Sequence, residues 1–131
     1  MPVNKLKYMN IFFQFTITLL LGFAAHWFLP WWWVMAPVAF LAAAVFHVPN
    51  ALFTTLIGFF CGAILWWSMA FYQSTLNHDL LAGRMGRLFG GLSPMELELT
   101  SALLGGLLGG LGALAANYGR KMIRKQAVQV S

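Results

Sequence analysis

Three histidines are the residues in this chain whose chemistry best suits a metal ion or a haem. Imidazole nitrogen is a common ligand for zinc and for haem iron. His26 falls near the end of the first apolar segment and His47 near the end of the second, so antiparallel packing would place them in opposite leaflets. His78 lies in a polar loop and could approach only His26. No further ligand pattern accompanies them, so we expect no metal and no cofactor.

Charged residues offer little for acid–base or proton-relay chemistry. The eight Lys and Arg and the three Asp and Glu residues all lie outside the apolar segments or at their ends. A proton relay places ionisable groups inside the membrane, where each costs about 2.5–3.5 kcal/mol on the insertion scale. Glu96 and Glu98 come nearest, and pairing with Arg84 or Arg87 would account for them. No nucleophile–base pair or phosphate loop can be assembled, so we expect no enzyme.

The composition indicates whether the chain is surrounded by water or by lipid. Of the 131 residues, 60% are hydrophobic and 8% are charged, against about 45–50% and about 25% in soluble domains. A soluble domain of this size would expose the excess as apolar patches. The net charge of +5 comes mostly from the chain ends, which is not the basic groove of a nucleic-acid-binding protein. The sequence therefore predicts an integral membrane protein.

Four apolar segments must position the side chains that the sequence offers. They cover about residues 10–29, 31–46, 51–71 and 95–119. A bilayer core of about 30 Å requires about 20 helical residues, so the second segment is short and the other three can cross. Pro30 and Pro49 mark the two boundaries of that second segment. We predict an all-α fold, a polytopic transmembrane helical bundle of about four spans in one domain over residues 1–131.

Residues 73–92, between the third and fourth segments, are the only sizeable predicted extramembrane piece. Apolar residues recur there near helical spacing, at Leu76, Leu80, Met85, Leu88 and Phe89. This pattern predicts a short amphipathic helix at the outer interface. Downstream, Ser93 and Glu96 have the spacing of a capping box around Pro94, which predicts the start of the last helix.

The distribution of basic residues predicts the orientation. Arg84 and Arg87 lie in the loop, whereas six basic residues flank the first and last segments at Lys5, Lys7, Arg120, Lys121, Arg124 and Lys125. An even number of spans puts both termini on one side, and this lysine and arginine bias makes that side cytoplasmic. We therefore expect a multi-pass protein of the cell inner membrane with both termini in the cytoplasm.

Tryptophans give a second, independent indication of depth. In the predicted topology they all lie toward the outer interface, at Trp27, Trp31, Trp32, Trp33, Trp66 and Trp67. Indole rings favour that boundary because the ring is apolar and its N–H requires a polar partner. We interpret these six residues as interfacial anchors.

Small residues repeat every fourth position in the last apolar segment. They form a helix-packing face of Ser101, Ala102, Gly105, Gly106, Gly109, Gly110, Gly112 and Ala113. In lipid, close van der Waals packing is the main drive for helix association, and a face of small residues permits it. The face could pack inside this bundle, with Gly58 and Gly62 as its partner, or against another protein or a second copy of the chain.

Two apolar motifs carry a resemblance to a known group. Residues 28–32 (FLPWW) and 102–110 (ALLGGLLGG) resemble a group of small, uncharacterised four-helix inner-membrane proteins of bacteria. The resemblance covers most of the chain. It implies the four-helix topology and attaches no activity.

These features predict a non-catalytic accessory or scaffold subunit of a larger bacterial membrane protein complex. Its partners would be the lipid bilayer and other integral membrane subunits. The alternative is a small homo-oligomeric channel or transporter. A subunit should leave a gently solubilised membrane with other chains, whereas a channel should form an oligomer of one chain.

Overall fold

A computed structural model describes residues 3–29, 32–46, 48 and 50–130, and every regular element in them is helical. The elements in chain order are α1 (Val3–Phe28), a short 3-10 helix (Trp32–Val34), α2 (Met35–Val45), α3 (Ala51–Leu76), α4 (Leu80–Leu88) and α5 (Pro94–Val130). Pro30, Trp31, His47 and Pro49 lie outside the described residues.

Within the described residues, three helices are long and apolar enough to cross a membrane, over Lys5–Phe28, Ala51–Leu76 and Pro94–Gln129. These three candidate spans mark the chain as a membrane protein. The apolar helix Trp32–Val45 is shorter. Its 3 residues of 3-10 helix and 11 residues of α-helix reach about 22 Å, at about 2.0 Å and 1.5 Å per residue. A fourth crossing therefore stays a prediction.

Helices extend beyond the apolar segments that predicted them. α1 begins at Val3, upstream of residue 10, and α5 continues past residue 119 to Val130. Hydropathy marks the part of a helix that lipid can surround, whereas a helix ends where its backbone groups find other partners. The predicted segments are therefore the apolar portions of longer helices.

α4 covers only the middle of the stretch predicted to be amphipathic. α3 takes residues up to Leu76, and His78 and Asp79 then turn the chain with positive φ angles of 47° and 57°. Aspartate and histidine are among the non-glycine residues that tolerate this left-handed conformation best. Gly90 and Gly91, with φ angles of 90° and 91°, follow the end of α4.

Four helices pack side by side in a ring. α3 and α5 share the largest interface, α2 packs on α5, and α1 packs on both α2 and α3. The buried core is built mostly from small and aliphatic residues: Met35, Ala39, Ala43, Val48, Ile57, Cys61, Leu65, Ala113 and Ala116. Small side chains bring the helix axes close together, which increases van der Waals contact.

The start of α1 and the C-terminal part of α5 lie at the same end of this bundle. The Lys7 ammonium stands 5.7 Å from the centre of the Phe53 ring, in the first turn of α3. The Asn117 side chain of α5 contacts Thr54 in that same turn. The lysines of α1 and the basic end of α5 are therefore neighbours, and α4 follows the far end of α3.

Candidate functional site: the helix-packing face of α5

Glycines form the contact between α3 and α5. A Cβ atom built on Gly105 would lie 2.6 Å from the carbonyl oxygen of Gly62, closer than the 3.0 Å that real Cβ atoms respect. A Cβ atom on Gly58 would lie 2.9 Å from the carbonyl carbon of Gly109. The two backbones therefore touch directly at two levels, one helical turn apart, and a side chain at any of these four positions would separate them.

Other glycines of α5 make room for bulkier neighbours. A Cβ atom on Gly106 would lie 2.8 Å from Cε2 of Phe59, whereas one on Gly110 would make ordinary contacts of 3.5 Å. Gly112 faces a different helix, because its Cβ atom would come within 3.0 Å of Cα of Ala36 in α2. α5 therefore contacts both α3 and α2 through glycines.

The remaining small residues of the predicted packing face differ in burial. Ala113 is fully buried and belongs to the core. Ser101 and Ala102, nearer the start of α5, are half-buried. Ser101 also lines an open groove of about 200 Å³ where α3, α4 and α5 meet. The glycines in the middle of the helix make the tightest contacts.

Trp66 connects three helices near the end of the bundle that carries α4. Its indole Nε1 donates a hydrogen bond to Nε2 of His26 in α1, over 3.2 Å. Its ring also lies against Gly105 of α5. The other imidazole nitrogen, Nδ1 of His26, is 2.9 Å from the carbonyl oxygen of Gly22. Nδ1 therefore carries the proton and both ring nitrogens are occupied, so a metal would have to displace one of these bonds.

Other predicted anchors lie at the same end of the bundle and are exposed. Trp27 ends α1, Trp32 and Trp33 form the 3-10 helix, and Trp67 follows Trp66 in α3. Their exposed fractions range from 46% to 72%. Trp31 lies outside the described residues. Trp66 differs from these exposed tryptophans in being half-buried, with its N–H bonded to His26.

Polar groups at the opposite end tie the turn after α2 to α5. The side-chain amide of Asn117 donates to the carbonyl oxygen of Val48 at 3.3 Å and to Oγ1 of Thr54 at 3.5 Å. Thr54 in turn donates to the carbonyl oxygen of Asn50 at 3.1 Å. The bond from Asn117 satisfies the Val48 carbonyl, which the turn after α2 would otherwise leave in an apolar surrounding, whereas the Asn50 carbonyl also accepts the backbone N–H of Thr54.

Arg120 caps the C-terminal end of α2. Its Nη2 donates to the carbonyl oxygens of Ala43 and Ala44, the latter at 2.6 Å. The last carbonyls of a helix lack partners within it and carry partial negative charge, so a guanidinium stabilises them. Sequence reasoning used Arg120 only as an indicator of orientation. The short second apolar segment was the available indication, because the carbonyl groups at the end of a short helix need hydrogen-bond donors from another helix.

Two buried side-chain oxygens lack a hydrogen-bond donor among the described residues, Oε1 of Gln14 and Oδ1 of Asn117. Phe15, next to Gln14, accepts from Cys61, whereas Asn117 contacts Thr54. Because Cys61 and Thr54 lie seven residues apart in α3, the Gln14 and Asn117 side chains are separated by about 10 Å along the bundle. In the described part of the chain, no three His, Cys, Asp or Glu side chains cluster closely enough to hold a metal ion.

Comparisons of this chain with protein-family models, with curated proteins and with solved structures find no match. The proposals below are therefore based on the packing face of α5 and on the polar contacts of Trp66, Asn117 and Arg120.

Proposed function

We propose that this chain is a non-catalytic accessory or scaffold subunit of a larger membrane protein complex. The observation that carries the proposal is the direct backbone contact between α3 and α5 at Gly62 and Gly105. This contact makes a rigid pair of helices, to which α1 and α2 are added. The buried polar groups mainly join helices to each other, as Trp66 does with His26. A rigid apolar body suits a scaffold better than a reaction centre.

Leucines on the back of α5 are the surface that we propose for contact with a partner subunit. Leu103, Leu107 and Leu111 repeat every fourth residue and are 54%, 48% and 62% exposed. Residues at that spacing lie on one face of a helix. Because the glycines are occupied within the chain, a partner must pack on larger side chains such as these.

Native co-purification with mass spectrometry tests the proposal. We expect gentle solubilisation to release the chain with other integral membrane chains at a fixed ratio. Replacing both Leu103 and Leu107 with alanine should reduce that recovery, because it removes apolar contact from the proposed surface. Leu20→Ala on α1 is the matched control, since Leu20 is 62% exposed on another helix. Recovery of this chain alone, as a monomer, would overturn the proposal.

The second candidate is a small homo-oligomeric channel or transporter. It is favoured by the buried, unpartnered oxygens of Gln14 and Asn117, because carbonyl oxygens can replace the hydration shell of a cation. Their separation of about 10 Å along the bundle would make two separate sites. A stable oligomer of this chain that conducts ions in liposomes, with conductance lost in Gln14→Leu, would favour this candidate over the subunit.

For the orientation, we propose an inner-membrane protein with both termini cytoplasmic. The six basic residues near the termini support this, because they lie at one end of the bundle and Arg84 and Arg87 follow the other. In a Cys61→Ala background, a cysteine at Asn77 should react with an impermeant reagent in intact spheroplasts, whereas one at Gln126 should not. The reverse labelling pattern would reject this orientation.

α4 fits an interfacial position in that orientation. Leu80, Leu81 and Leu88 are 59% to 81% exposed, whereas Gly86 is buried against the backbone of Leu92. Leu80 and Leu88 therefore point away from the bundle, whereas Leu81 lines the groove between α3, α4 and α5. An amphipathic helix at the membrane surface buries such side chains among the lipid headgroups. We propose that α4 lies in the outer interface of the bilayer.

A further inference from the structure

The last part of α5 extends beyond the bundle. Asn117 contacts Thr54 in the first turn of α3, so residues after Gly119 lie past the start of that neighbouring helix. Residues 121–129 are all exposed, although the helix continues through them to Val130. This terminal segment, residues 121–129, is therefore a helix that the rest of the chain does not cover.

Three basic residues of the terminal segment share one side of the helix, opposite Ile123. At 100° per residue, Lys121, Arg124 and Lys125 fall within an arc of about 100°, which also contains the exposed Val128. Ile123, which is 69% exposed, lies on the opposite side of the helix, and Met122, which is 67% exposed, lies between the two sides. The acidic residues Asp79, Glu96 and Glu98 lie in the turn before α4 and in the first turns of α5, at the far end of the bundle. The basic side has no acidic neighbour within the described residues.

Gly119 stands where the helix leaves the bundle. A Cβ atom on Gly119 would meet nothing within 4 Å, in contrast to those on Gly105 and Gly109. Packing therefore does not require glycine at this position. Glycine weakens a helix relative to alanine, so it permits the terminal segment to change its angle to the rest of α5.

We propose that the terminal segment binds the anionic phospholipid headgroups of the adjacent leaflet. Lys121, Arg124 and Lys125 contact phosphate groups, while Met122 and Ile123 enter the interface below them. Basic segments next to a membrane span are attracted to anionic lipids, and apolar residues on the same helix add binding. Tyr118 supports the depth of this contact, because its ring is 52% exposed and lies 5.2 Å from the Lys121 ammonium. The proposal is independent of the scaffold role.

Spin-label accessibility in nanodiscs tests the lipid contact with the full chain. In a Cys61→Ala background, a label at Ile123→Cys should be accessible to water in pure phosphatidylcholine. In phosphatidylcholine with about one third phosphatidylglycerol it should move into the lipid, because each basic residue near an anionic surface shifts the bound-to-free ratio roughly fivefold. Molar salt should return the label to water, since it screens the charges.

Charge-removing variants supply the controls. Replacing Lys121, Arg124 and Lys125 with glutamine should keep the label in water in both bilayers, whereas replacing Arg84 and Arg87 with glutamine should leave the lipid response unchanged. Equal thermal unfolding midpoints would show that the variants are folded. A label at Ile123 that is equally water-exposed in both lipid compositions would overturn the proposal and favour a soluble acidic partner. Retention of the lipid response in the triple variant would also overturn it.

Discussion

Trp66 donates its indole N–H to Nε2 of His26 while its ring packs on Gly105. The same side chain therefore holds α1, α3 and α5 together near the end of the bundle that carries α4. The bond has a specific chemical requirement, since only a donor at the position of the indole nitrogen can satisfy this imidazole acceptor.

Trp66→Phe should destabilise the bundle by about 1–3 kcal/mol, because the substitution leaves the half-buried Nε2 of His26 without its donor. Trp67→Phe is the matched control and should have a smaller effect, because Trp67 is 46% exposed. Unfolding in detergent would measure both, together with His26→Phe and the double variant of positions 66 and 26. Strictly additive free energies of unfolding in this cycle would contradict the proposed coupling.

Leucine at Gly105 or Gly109 should separate α3 from α5. Each change inserts a branched side chain where backbones meet, and overpacking of this kind costs about 1–3 kcal/mol or more. Leu107→Ala and Leu111→Ala, on the outward side of α5, should be milder. Gly119→Ala should be neutral or stabilise the helix by up to about 1 kcal/mol, because a Cβ atom there meets nothing. Thermal unfolding midpoints in one detergent would rank the five variants, and an equal midpoint for Gly105→Leu and wild type would refute the contact.

Arg120→Met should loosen the end of α2. The substitution removes the donors to the carbonyl oxygens of Ala43 and Ala44, and hydrogen bonds to charged groups contribute about 1.5–3 kcal/mol. Hydrogen exchange should then rise in the last turn of α2. Arg124→Met, one turn further along α5, is the control and should leave that exchange unchanged. A faster exchange in both variants would point to a general effect of charge instead of a cap.

Glu96→Ala should destabilise the start of α5 by about 1 kcal/mol, because Glu96 belongs to its capping box. Its Oε2 accepts from the backbone N–H of Ser93 at 2.7 Å and from the Ser93 hydroxyl at 2.9 Å. Glu98→Ala should have little effect, since Glu98 takes no part in this cap. Chemical unfolding would compare the two variants. A larger loss for Glu98→Ala would indicate that the carboxylate of Glu98 stabilises the groove that it lines.

Some local features were predictable because neighbouring residues determine them. The spacing of Ser93, Pro94 and Glu96 predicted the start of α5, and the hydrogen bonds confirm it. Tandem glycines likewise predicted a bare helix face. Pairing of Glu96 with Arg84 or Arg87 was expected from charge alone. In the structure, the Glu96 carboxylate instead accepts hydrogen bonds from the backbone N–H and the hydroxyl of Ser93.

The contacts that the sequence did not predict depend on how neighbouring helices are rotated and on how long they are. The positions of the tryptophans indicated depth in the membrane, but the bond between Trp66 and His26 depends on which face of α3 turns toward α1. The cap on α2 depends on where α2 ends beside α5, which places its carbonyls within reach of Arg120. No spacing within a single segment contains that information.

The short length of α2 has a consequence for the surrounding lipid. Phe40, Leu41 and Val45 are exposed on an apolar helix of only about 22 Å, against a hydrocarbon core of about 30 Å. A crossing by this segment, which the four-span topology predicts, would leave a hydrophobic mismatch that a thinner bilayer beside α2 relieves, at a cost of a fraction of a kcal/mol per Å. The four-span topology therefore predicts that short-chain lipids collect along this flank. It also predicts that two such proteins attract each other, because overlap of their thinned bilayer relieves the deformation around both.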